Sequence, residues 1–121
     1  MNKSFKYKFH YRPGYGSDEL LIEFFKGVEK ENFGIDFFDA IKEINPILLG
    51  KEDLWMNDEI IYTINTDHGK FTLSKNVWDI AFIISENNQA CLLQINNMLL
   101  KDERFEKIEV DFNDYKINKD V

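Results

Sequence analysis

Apolar and polar residues alternate strictly over residues 5–11, with Phe5, Tyr7, Phe9 and Tyr11 on one side and Lys6, Lys8 and His10 on the other. A period of two sustained over that length predicts a half-buried strand. Pro13-Gly14-Tyr15-Gly16 interrupts it, and Ser17 followed by Asp18 and Glu19 has the form of a helix start, with a capping hydroxyl and acids in the first turn. Leu21, Phe24, Phe25 and Val28 then recur at i, i+3, i+4 and i+7, which predicts a helix with one apolar stripe. Asn32-Phe33-Gly34 punctuates that helix. Asp36 then opens a second, shorter one carrying Phe37, Phe38, Ile41 and Ile44, and Pro46 stops it.

From Ile47 to Met56 no period holds, and Ile47, Leu48, Leu49, Leu54 and Trp55 predict a packed connector. Period two returns at Glu59, where Ile60, Tyr62 and Ile64 alternate with Ile61 and Thr63. Thr66-Asp67-His68-Gly69 then turns the chain toward Phe71 and Leu73, a β-hairpin. Trp78 to Ile84 is apolar on both alternating faces apart from Asp79, which fits a central strand covered on two sides or a buried helical segment. Ser85 or Asn87 can cap a helix running to about Lys101, with Leu92, Ile95 and Leu99 as its stripe. Lys107 to Phe112 alternates again, with Ile108, Val110 and Phe112 inward, and predicts a last strand. The fold class that follows is α+β: a mixed, largely antiparallel sheet of about five strands with about three helices packed mainly on one face. Phe24, Ile41, Trp78, Phe82, Ile95 and Val110 are the expected core positions.

Composition narrows this reading. A chain of 121 residues, 44% hydrophobic and with eleven phenylalanines, has the size and apolar content of one folded domain, residues 1–121. The formal charge is −7, yet residues 1–12 carry Lys3, Lys6, Lys8 and Arg12 with no acid. Taking that +4 from −7 leaves −11 on the other 109 residues, so the acidic field belongs to the body of the domain. Only Arg12 and Arg104 are arginines, which argues against phosphate-backbone binding and for basic partners. Cys91 stands alone, no secretory signal precedes Phe5, and the longest apolar runs fall far short of the roughly 20 residues of a spanning helix; a cytoplasmic, non-membrane protein is expected.

Catalytic and metal-binding patterns are missing. His10 and His68 lie in no ligand spacing, Cys91 has no CxxC companion, and Pro13-Gly14-Tyr15-Gly16 lacks the glycine order that cradles phosphate. Asp67 beside His68 is read as turn chemistry, and Cys91 as a buried inert thiol. No catalytic residue, cofactor or metal is therefore expected. The segment that stands out combines acids with aromatics: Glu52, Asp53, Trp55, Asp58, Glu59, Tyr62 and Asp67. Aromatics supply desolvated anchors and carboxylates attract a basic partner, so these seven form the candidate partner-binding set. The competing reading puts Trp55 and Tyr62 in the core with the acids as their rim.

Trp78 to Ile84, Asn87-Asn88-Gln89 opening a helix, Arg104-Phe105 and Glu109-Val110-Asp111-Phe112 resemble, in style, small acidic immunity proteins of bacterial polymorphic-toxin and contact-dependent growth inhibition systems. The resemblance covers about the second half of the chain and implies a role without a shared site: direct binding and neutralisation of one cognate toxin domain, with a nuclease as the candidate because its active site is basic. The alternatives from other classes are an adaptor or structural binding domain of a mobile element, and a small enzyme with an unrecognised carboxylate site.

Overall fold

A computed structural model describes residues 5–85 and 87–116; Lys3, counted above among the N-terminal cations, lies outside them. Seven strands form one sheet: β1 (Tyr7–Pro13), β2 (Leu20–Lys26), β3 (Ile47–Leu54), β4 (Glu59–Thr66), β5 (Gly69–Asn76), β6 (Ala81–Ile84) and β7 (Phe105–Lys107), in the order β3-β4-β5-β6-β2-β1-β7. Every neighbouring pair is antiparallel except β1 with β7. Two α-helices, α1 (Phe33–Ala40) and α2 (Gln89–Leu100), accompany it, with short 3-10 turns at Lys42–Ile44, Trp55–Asn57 and Phe112–Tyr115. The class is α+β with a mixed sheet, as the patterning indicates; among the described residues the count is seven strands and two α-helices.

Both helices contribute to one core against one side of the sheet. Phe33 and Phe37 of α1 and Leu92, Ile95 and Leu99 of α2 share a cluster with Phe9, Ile22, Phe24, Ile64, Phe71 and Ile83. Phe24 is its hub, with ring centres 5.1 Å from Phe33, 5.6 Å from Phe37 and 5.7 Å from Phe9. Each such side chain contributes about 1.5–3 kcal/mol by leaving water. The helix α2 starts at Asn88, whose side chain accepts the Cys91 N–H, one residue from the expected cap. Its Cys91 is buried against Thr66, and burial raises its thiol pKa.

Five expectations are corrected. Residues 17–28 are not a helix. Ser17 Oγ accepts the Glu19 N–H at 3.0 Å in a local turn, and β2 follows. Leu20 to Phe25 is apolar on both faces apart from Glu23 because β2 lies inside the sheet, and a doubly apolar strand also satisfies the i, i+3, i+4 rule. Ile47 to Leu54 is not a packed connector but the edge strand β3; it shows no period because nearly all of it is exposed, and a bulge between Leu48 and Gly50 breaks its register. Trp78 lies outside strand β6 and is exposed, because Asn76 Oδ1 accepts the N–H groups of Trp78 and Ile80 and folds residues 76–80 into a turn, with Asp79 in the left-handed region at φ 61°. The last strand stops at Lys107: the Ile108 N–H still reaches the Phe9 carbonyl at 2.8 Å, after which the chain crosses to the 3-10 turn, leaving Val110 half-buried and Phe112 exposed. Phe24, Ile41 and Ile95 are fully buried, whereas Phe82 is half-buried on the other side of the sheet.

Candidate functional site

The hairpin β3–β4 and the loop between β5 and β6 meet at one end of the sheet. The 3-10 turn Trp55–Asn57 closes with Asp58 in the left-handed region (φ 56°), its N–H donating to the Trp55 carbonyl. The Asp58 carbonyl accepts the Val77 N–H at 3.1 Å, which ties the two turns into one tip. Four large apolar side chains crown it: Trp55 is 75% exposed, Met56 78%, Val77 60% and Trp78 68%. Soluble chains scatter exposed apolar residues singly; a group contributed by two turns locked together is the pattern of a contact surface. Beneath Trp55 lies a cleft of about 250 Å³, lined by Asp53, Trp55, Asp58, Glu59, Lys75 and Val77 among others.

The seven candidate residues therefore divide. Asp53, Trp55, Asp58 and Glu59 come together in that cleft. Glu59 is half-buried there, and its carboxylate accepts a hydrogen bond from Ser74 Oγ, so it is partly spent on holding β4 to β5. Glu52 sits beside the cleft on β3, opposite Ile61, and its neighbour Asp53, opposite Ile60, points to the other side of the sheet. Tyr62 faces the core, opposite Leu73, and packs against the buried cluster. Asp67 lies at the far end of β4, where its side chain accepts from Asn45 Nδ2 (2.7 Å) and its N–H bonds the Ile44 carbonyl. Eight strand residues put it roughly 25 Å from Asp58.

Met56, Val77 and Trp78 complete the tip and were not among the candidates. Their signal was the polar punctuation around them: Asn57-Asp58 and Asn76 with Asp79 are turn formers that lift intervening apolar residues out of the core. The same tip heads the free edge of β3. Among the described residues its only neighbour in the sheet is β4, and Ile47, Leu48 and Leu49 are each more than half exposed.

Other charged side chains are engaged structurally. Arg12, 5% exposed, donates from Nε to Glu23 Oε1 at 2.7 Å while its guanidinium lies 4.5 Å from the Tyr115 ring centre and 5.3 Å from that of Tyr15. Arg104 bonds Asp36, Asp39 and Asp102, and its side-chain hydrogen bond holds the Asp102 carboxyl below the usual carboxylate range. The Tyr7 hydroxyl donates to Asp36 at 2.6 Å, and burial, aided by that bond, pushes its pKa up to about 12. His10 stacks on Phe25 with ring centres 4.3 Å apart, its Nδ1 2.9 Å from the Ile108 carbonyl oxygen. Among the described residues no group of three or more His, Cys, Asp or Glu could hold a metal ion, and no helix is long and apolar enough to cross a membrane.

No family model matches the chain, and no curated protein or solved structure matches it either.

Proposed function

We propose that this chain is a binding protein that captures one cognate protein by direct contact and blocks it, as an immunity protein holds its toxin domain, and that it catalyses no reaction of its own. The observation that carries the reading is the tip: Trp55, Met56, Val77 and Trp78 are exposed on two turns joined by the Asp58–Val77 backbone bond, beside a cleft lined by Trp55, Val77, Asp53, Asp58 and Glu59. Desolvated aromatic anchors with charged surroundings are the composition of interface hot spots. The net charge of −7 adds steering toward a basic surface, which suits a nuclease domain whose substrate is itself polyanionic. The resemblance to immunity proteins supplies the role, and with it a cytoplasmic location.

Co-expression with the product of the adjacent gene, which the proposal expects to be a toxin domain, tests it. Wild type should restore growth and co-purify with the domain; a wild-type chain that neither protects nor binds would remove the immunity reading.

A further inference from the structure

The binding reading leaves open how the partner is held. The free edge of β3 is eight residues long, and alternate residues of an edge strand present unpaired N–H and C=O groups outward. Resting on that reading, we infer that the partner contributes an extended strand that pairs with β3 and brings a lysine or arginine over Trp55. Main-chain bonds along an exposed sheet edge are a general mode of peptide capture, with side-chain pockets giving specificity. Here the edge offers an apolar start, Ile47 to Leu49, and an acidic, aromatic end at the Trp55 cleft.

Charge selects the occupant. Around the second half of the edge and the tip stand Glu52, Asp53, Asp58, Glu59 and Asp79 against Lys51 and Lys75. A cation placed in the cleft lies among Trp55 and the carboxylates of Asp53, Asp58 and Glu59, which outnumber the one cation, Lys75, that lines it. A second copy of this chain fits poorly. Each copy carries a net charge of −7, so two of them repel.

The test uses the full chain and an inactivated form of the product of the adjacent gene, the partner that the binding reading expects. Hydrogen exchange of the complex should slow about tenfold or more at alternate amides of residues 47–54. The double variant Leu48→Lys, Leu49→Lys should bind about 30-fold more weakly with its thermal midpoint unchanged, and Trp55→Ala, an independent variant at an exposed position, should show a similar loss. Unprotected β3 amides with full-strength binding by both variants would overturn the strand mode and leave the binding reading standing. Absence of any wild-type binding would overturn both. A concentration-dependent dimer abolished by the Leu48→Lys, Leu49→Lys change would assign the edge to a second copy and overturn the partner strand.

Discussion

The two edges of the sheet are built on opposite principles. At one edge β7 is three residues long, Phe105 is buried, and the chain on both sides of the strand is tied down: the Arg104 carbonyl accepts the Tyr7 N–H, its guanidinium bonds three aspartates, and Ile108 reaches back to Phe9. At the other edge β3 is eight residues long and almost wholly exposed, and it runs straight into the Trp55 turn. A short, covered edge is how a soluble protein prevents unwanted strand pairing. A long, partly apolar edge retained in the same molecule fits the partner strand proposed for it.

That contrast is sharpened by substitutions at each edge. Phe105→Ala at the closed edge should cost about 3–5 kcal/mol, read as a shift in the urea midpoint, because it empties space beside Tyr7 and Phe24. Arg12→Met removes the cation under Tyr115 and strands a mostly buried Glu23; the loss should be about 3 kcal/mol, and equal stability would mean that the C-terminal crossing is not anchored there. Tyr7→Phe tests the same edge by pH. The folded pKa of Tyr7 is raised from 10.0 to about 12, so its contribution is complete below pH 10 and disappears as pH rises through the folded value. The gap between wild type and variant, about 1 kcal/mol at pH 8, should close between pH 10 and 12. Arg104→Ala should cost only about 1 kcal/mol, and less in high salt, since its side chain is more than a third exposed. Leu48→Lys at the open edge should change stability by less than about 0.5 kcal/mol; a loss as large as that of Phe105→Ala would erase the distinction between the edges.

The same contrast explains what was legible in the residues. Burial writes a period into a sequence, so the β4–β5 hairpin, the first strand and the α2 stripe of Leu92, Ile95 and Leu99 could be read directly. Strand β3 faces solvent on both sides and carries no period at all, and β2, apolar on both sides, carries two at once. Of the candidate surface, Trp55, Asp53, Asp58 and Glu59 were legible because they are close in sequence and charge. Tyr62 was not separable from them, since alternation along β4 gives its face only once the register with Leu73 is known. Trp78 was read as the start of the strand that ends at Ile84, and Val77 carried no signal; a bond between backbone atoms of Asp58 and Val77, invisible to any side-chain pattern, brings their turn to the tip.

The central claim is that the Trp55 tip, and not exposed apolar surface in general, holds the partner. Titration calorimetry of the product of the adjacent gene, the proposed partner, into wild type, Trp55→Ala and Ile35→Ala tests it most directly, because Ile35 is a similarly exposed apolar residue on α1, away from the tip. The account predicts affinity about 30-fold weaker for Trp55→Ala and unchanged for Ile35→Ala. Full affinity in Trp55→Ala with a comparable loss in Ile35→Ala would contradict it.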